Sequence, residues 1–249
     1  MNLRGKTVFI TGAAKRLGRE TALMFASRGA GVILHANQSW QDAENLKVKI
    51  KKTGGSAWTV RAEFNLRQGR VEKKIRDLAR DLDRKCPPVD ILVNNASIFY
   101  PTPLESLTEK DWDDFQTVNL KVPFFLAREF GLRMCRRRAG KIINLADWTA
   151  WRPDPRYLPY AISKAGLVSM TQGLAKALAP HVQVNGIAPG PILKAKGMTA
   201  AGEKAAAAKT LLGRFGSASD ISEAVRYFCE SADFVTGVCL PVDGGCSAA

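Results

Sequence analysis

"KTVFITGAAKRLG", residues 6–18, passes from a short β-branched and aromatic run into a turn, and overlaps the helix-forming stretch "LGRETALMFASRG" (17–29). The first run suits a buried strand, and the second an amphipathic helix that stops at Gly29. Strand, glycine turn and helix in this order open a doubly wound α/β fold, whose ligands sit at the carboxyl ends of its strands. Gly12 permits the turn and Gly18 close helix packing, while N–H groups at the helix start can hold a pyrophosphate. Glycines in such a unit serve packing as readily as a cofactor, so the rest of the chain decides between the two.

Further strands are expected at "AGVILHA" (30–36), "SAWTVRAEF" (56–64), "VDILVNNA" (89–96), "KIINLA" (141–146), "VQVNGIAPG" (182–190) and "VCLPVDGG" (238–245). Helices fall between them at 41–52, 71–84, 160–178 and 218–230. "TEKD" (108–111) reads as a capping box opening a long helix, along which Trp112, Phe115, Val118, Val122, Phe125, Leu126 and Phe130 recur as a core stripe. Pro123 has no N–H to give the Asn119 carbonyl, so this helix should kink there and leave that carbonyl free for a water. The alternation predicts an α/β Rossmann-like doubly wound parallel sheet of about seven strands, helices on both faces, in one domain over 1–249. The Ala-rich part of 192–212 is expected to form a helical flap over the substrate.

The 249 residues are 46% apolar, enough for one large core, and carry a net charge of +14 from 37 basic and 23 acidic side chains. That balance favours anionic partners such as phosphates, carboxylates or nucleic acid, and equally fits a solvated basic surface. Cys86, Cys135, Cys229, Cys239 and Cys246 form no CxxC pair, and their odd number speaks against a disulfide framework. A reducing cytoplasm is expected, with no metal. No run is long enough for a signal peptide or a membrane span, so a membrane partner is not expected.

Strand two ends in "HANQS", and no acid occurs from Gly31 to Gln41. A cofactor with a 2′-phosphate needs that carboxylate absent and donors present. His35, Asn37, Gln38 and Ser39 can donate, and Lys15 and Arg16 add charge, so NADP(H) is favoured over NAD. His35 fits a satisfied strand-end residue equally well. Tyr160 and Lys164, four apart at a helix start, share one face, where an ammonium would draw the phenol toward ionisation and suit Tyr160 to proton donation during hydride transfer. Asn119 interrupts an apolar stripe and needs hydrogen-bond partners if buried. Trp112 is expected in the core, Trp148 and Trp151 at a pocket mouth, and Arg136–Arg138 at a solvated helix end.

On "TGAAKRLG" (11–18), "NNAS" (94–97), Asn119, "YAISK" (160–164), "APGPI" (188–192) and "TGVCLPVDGG" (236–245), the chain resembles the short-chain dehydrogenase/reductase family over nearly its whole length. The resemblance implies a nicotinamide dinucleotide cofactor, an Asn-Ser-Tyr-Lys tetrad and a homotetramer built through the long helices. Asn119, Tyr160 and Lys164 match the tetrad, whereas Asp147 stands in place of its Ser. That replacement, with Arg16 at the loop's middle glycine, resembles the pteridine reductases.

Cofactor contacts implied by the resemblance are Gly12, Lys15, Arg16, Leu17, Asn95, Ala96 and Ser97 around the first loop, Glu63 and Phe64 after strand three, and Pro189, Gly190 and Ile192 after strand six, with Tyr160 and Lys164. Phe99 would stack on a pterin, with Ser97, Tyr157, Asp147 and Tyr160 around it. Arg16 would either contact phosphate alone or also reach the pterin. An ionised carboxylate would repel a carbonyl oxygen gaining charge but can accept from the N–H groups of a pterin. The expected activity is NADPH-dependent reduction of a C=N bond in a dihydropterin, dihydrofolate or oxidised pterin. The rivals are a carbonyl or 3-oxoacyl reductase that tolerates Asp147 and, more distantly, a nucleic-acid-binding protein on the same scaffold.

Overall fold

A computed structural model describes residues 1–65, 70–194 and 197–248. Its strands are β1 (Thr7–Ile10), β2 (Gly31–Ala36), β3 (Ala57–Arg61), β4 (Ile91–Asn94), β5 (Gly140–Leu145), β6 (Val182–Pro189) and β7 (Cys239–Val242). They pair in parallel in the order β3-β2-β1-β4-β5-β6-β7. The helices are α1 (Arg16–Ser27), α2 (Trp40–Lys52), α3 (Val71–Lys85), α4 (Glu109–Gln116), α5 (Val122–Arg136), α6 (Leu158–Leu178), α7 (Ala200–Ala207) and α8 (Ala218–Glu230).

The apolar runs of the central strands are continuous because both faces are covered. Val8, Ile10, Val32, Leu34, Ile91 and Val93 pack with Phe25 of α1 and Phe228 of α8. The alternate residues Phe9, Ile33 and Leu92 pack on the other face with Ile75 of α3, Phe130 of α5 and Leu174 of α6. Strand order reverses between β1 and β4, and the crevice above their carboxyl ends is where such a sheet binds ligands.

The capping box forms as expected, Thr108 Oγ accepting from the Asp111 N–H at 3.2 Å and the Asp111 carboxylate from the Thr108 N–H at 3.1 Å. Where the kink was expected, the helix makes a π-helical turn, Thr117–Lys121, in which the Val122 N–H reaches back to the Thr117 carbonyl. Pro123 follows directly in α5 and has no N–H to offer the Asn119 carbonyl one turn back. A wide turn adds a residue to the helix and rotates Asn119 off the regular stripe.

Five expectations need correction. Trp112 is 41% exposed rather than in the core. Strand β3 stops at Arg61, and β7 stops at Val242 because Gly244 and Gly245 turn the chain away with φ of 64° and 88°. Helix α6 starts at Leu158, two residues early, since Pro159 suits a first helical turn. Of the expected flap, only Ala200–Ala207 is helical, and residues 195 and 196 lie outside the described residues.

Candidate active site

The first loop sits over the crevice, held by Asn95, the residue just past β4. Its side-chain amide donates to the Thr11 carbonyl at 2.8 Å and the Gly12 carbonyl at 3.1 Å, and Thr11 Oγ accepts the Asn95 and Ala96 N–H groups at 2.9 Å. Gly12 has φ +63°, and a Cβ on Gly18 would lie 2.3 Å from the Gly12 carbonyl oxygen. Only glycine fits this cradle. Arg16 takes a left-handed φ of 52° where the family carries glycine, and its guanidinium donates to the Leu193 and Lys194 carbonyls at 3.2 Å each. Leu17 points back to the core.

His35 does not face this crevice as a phosphate donor. It is buried, its Nδ1 accepts the Gly12 N–H at 3.1 Å, and Nε2 therefore donates to the Ala62 carbonyl at 3.0 Å. Phe64 stacks on it at 4.2 Å, its ring turned into the core. Burial pulls the His35 pKa down to about 4, so the ring is neutral and braces the loop from beneath.

The charge for an anion comes from elsewhere. A cavity of about 390 Å³ between α1 and α2 is lined by Lys15, Arg16, Arg19 and Lys49, with Asp42 as its acid. Asp42 lies just past the acid-free stretch and pairs with Lys15 at 3.0 Å. Arg19 and Lys49 were not predicted as contacts, because only the register of α1 on α2 brings them together. Asn37, Gln38 and Ser39 form the turn into α2, and Glu63 is exposed after β3.

Asp147 follows β5, and Tyr160 and Lys164 lie in the first turns of α6. The Tyr160 hydroxyl donates to Asp147 Oδ2 at 2.9 Å. Lys164 Nζ donates to the Leu145 carbonyl at 2.7 Å and stands 5.5 Å from the Tyr160 ring centre. Burial, and then the Asp147 carboxylate, hold the Tyr160 phenol well above its ordinary pKa. This reverses the expectation that Lys164 draws Tyr160 toward ionisation, since burial penalises the phenolate and the neighbouring carboxylate adds to that penalty, while the Lys164 ammonium is aimed at a carbonyl. Burial brings Lys164 down to about 8 and pushes the Asp147 carboxyl above its ordinary value, against donors from Thr149.

Asn119 is fully buried and spends its amide on the loop after β4. Its Oδ1 accepts from the Ile98 N–H at 2.9 Å and Ser97 Oγ at 3.2 Å, and its Nδ2 donates to the Ile98 carbonyl at 3.1 Å and Ser163 Oγ at 3.3 Å. That loop carries Phe99, which is 55% exposed, stacks on Tyr157 at 4.7 Å and meets Tyr160 edge-on at 4.8 Å. The Thr102 N–H donates to the Arg156 carbonyl at 2.7 Å, joining the two loops that bear the aromatic pair.

Asp147, Tyr160, Lys164, Asn119, Ser97, Phe99 and Tyr157 thus converge. Thr149 and Ser163 join them without having been predicted, although Asp-x-Thr in "DWT" is a readable capping signal. Trp151, 42% exposed, and the half-buried Trp148 lie on the segment after Asp147. Pro189 ends β6, and Gly190 allows no Cβ because Asp243 Cα lies 2.5 Å from its position. Ile192 lines a second cavity of about 410 Å³ with Leu211, Leu212 and Arg214, which none of the catalytic candidates enters.

The family model for short chain dehydrogenases matches residues 6–205. The chain belongs to the short-chain dehydrogenase/reductase family. It is an oxidoreductase of that family, built on its Rossmann-like fold. A 3-oxoacyl-[acyl-carrier-protein] reductase of Thermotoga maritima is 32% identical, over 98% of this chain and 99% of its own. The crystal structure of FolM alternative dihydrofolate reductase 1 from Brucella canis, complexed with NADP, superposes with a TM-score of 0.90 at 31% identity, covering 100% of this chain and 96% of that one. A putative gluconate dehydrogenase from Agrobacterium tumefaciens gives a TM-score of 0.93 at 27% identity, covering 100% and 98%. Among short-chain dehydrogenases and reductases the scaffold is thus shared across substrates, and the choice of substrate rests with the site.

Proposed function

We propose that this chain is an NADPH-dependent pteridine reductase that delivers hydride to a C=N bond of a dihydropterin, a dihydrofolate or an oxidised pterin. The observation that carries the reading is the Tyr160 hydroxyl donating to Asp147 at 2.9 Å, a carboxylate where a carbonyl reductase needs a neutral donor. The likeness to a dihydrofolate reductase holding NADP supports it.

The cradle fits a dinucleotide: Gly12 and Gly18 let backbone approach, α1 offers its N-terminus, and the cations at Lys15, Arg16, Arg19 and Lys49 suit a 2′-phosphate. NADPH, when bound, supplies the hydride. Tyr160 remains a phenol through the working pH range and gives the proton to the ring nitrogen. Oδ2 of Asp147, beside that hydroxyl, accepts ring N–H groups and anchors the substrate. Lys164 positions the nicotinamide ribose, Phe99 offers a stacking face, and the Asn119 carbonyl, which Pro123 cannot satisfy, holds a water that returns the proton.

The second reading is a 3-oxoacyl reductase, favoured by the Thermotoga relative. NADPH oxidation measured with dihydrobiopterin, dihydrofolate and an acetoacetyl thioester separates the two. Turnover of the pterin or folate is expected, and turnover of the thioester alone overturns the pteridine reading. The described cysteines are all free, as suits a reducing cytoplasm, and no helix among the described residues is long and apolar enough to cross a membrane. The 192–212 segment is assigned as a substrate flap of a single domain, and a homotetramer as the working assembly.

A further inference from the structure

We propose that Thr149 is the positioning residue of Asp147, presenting one carboxylate oxygen to Tyr160 and to the substrate. The identity of that substrate rests on the pteridine-reductase reading, whereas the orientation of Asp147 does not.

Asp147, with extended backbone (φ −163°, ψ 151°), caps the short 3-10 helix Trp148–Ala150. Its Oδ1 accepts the Thr149 N–H at 2.9 Å and the Thr149 hydroxyl at 2.7 Å. A carboxylate oxygen has two lone-pair sites, so one residue fills Oδ1. Oδ2 accepts only the Tyr160 hydroxyl among the described groups and keeps a lone pair for a ring N–H. Turning the carboxylate about its Cβ–Cγ bond would break both Thr149 bonds, and a proton taken up by Asp147 must sit on Oδ2. Tyr160 and Lys164 face the carboxylate from α6, and Cys246, whose thiol is pushed up by burial first, then by Asp243 and least by Asp147, from the turn after β7. Both Thr149 donors favour the ionised form, opposing burial.

The test is a carbon-13 NMR titration of the free enzyme labelled at the aspartate carboxyls, with Asp147→Asn for assignment. In Thr149→Val the Asp147 carboxyl should titrate at higher pH than in the wild type, because a donor to the charged form is gone, and Thr149→Ser should restore it. Thr149→Ala serves the same purpose if the valine variant folds poorly. With dihydrobiopterin, kcat/KM should fall about tenfold in Thr149→Val and recover in Thr149→Ser, with the NADPH Kd unchanged. An unmoved titration in both hydroxyl-free variants, or a serine variant displaced like the valine one, overturns the proposal. A titration that moves as expected in an enzyme that reduces no pterin sinks the substrate reading and leaves the role of Thr149 standing.

Discussion

At the scale of single residues, Asp147 and Tyr160 share a hydrogen bond that sets what each can do. Burial, and then the carboxylate 2.9 Å away, keep the proton on Tyr160, as the proposed role of proton donor requires. Asp147→Ser should therefore cut pterin turnover at least tenfold while the NADPH Kd, read by fluorescence titration, stays within about twofold. Undiminished turnover would show that the carboxylate has no part in catalysis. The position of Asp147 thirteen residues before Tyr160 was legible in the sequence. The direction of the pKa shift was not, because YxxxK spacing gives neighbours on a helix but not that Lys164 Nζ turns to the Leu145 carbonyl.

At the scale of elements, the first loop is tied down on both sides, by Asn95 just past β4 and His35 from β2. His35 has a folded pKa of about 4 against its ordinary 6.5, so between those values the unfolded chain binds a proton that the fold refuses. Its contribution is present above pH 6.5 and is lost as pH falls toward 4, amounting to about 2 kcal/mol between pH 7 and pH 5. Urea unfolding of His35→Gln at these two pH values should show a shallower acid loss than the wild type. An equal loss would mean that other groups drive the acid sensitivity. Gly18→Ala should lower stability by about 1–3 kcal/mol and weaken NADPH binding, since its Cβ would sit 2.3 Å from the Gly12 carbonyl oxygen. The strands and caps around the loop were readable from period and turn chemistry. Which of its two roles His35 takes was not readable, because a polar strand end looks alike whether it faces a ligand or braces a backbone.

For the whole molecule, the doubly wound parallel sheet of seven strands followed from the alternation of strands and helices, whereas the strand order, and with it the crevice between β1 and β4, came from the structure. Surfaces were less legible: Trp112 keeps the helical spacing of the core residues, yet it and Phe124 are each 41% exposed and Leu132 is 45% exposed, on α4 and α5. Apolar side chains spread along two consecutive helices are what a homotetramer joined through its long helices would cover. Light scattering after size exclusion should give a tetramer, and Phe124→Glu should yield dimers or monomers. A monomeric wild type would remove the assembly from the proposal. A different consequence follows from the bond between Thr102 and Arg156 and the Phe99–Tyr157 stack. Anyone grafting substrate preference from a relative onto this scaffold must transplant residues 97–103 and 154–157 as one cassette, since either loop swapped alone arrives without the half that gives it shape.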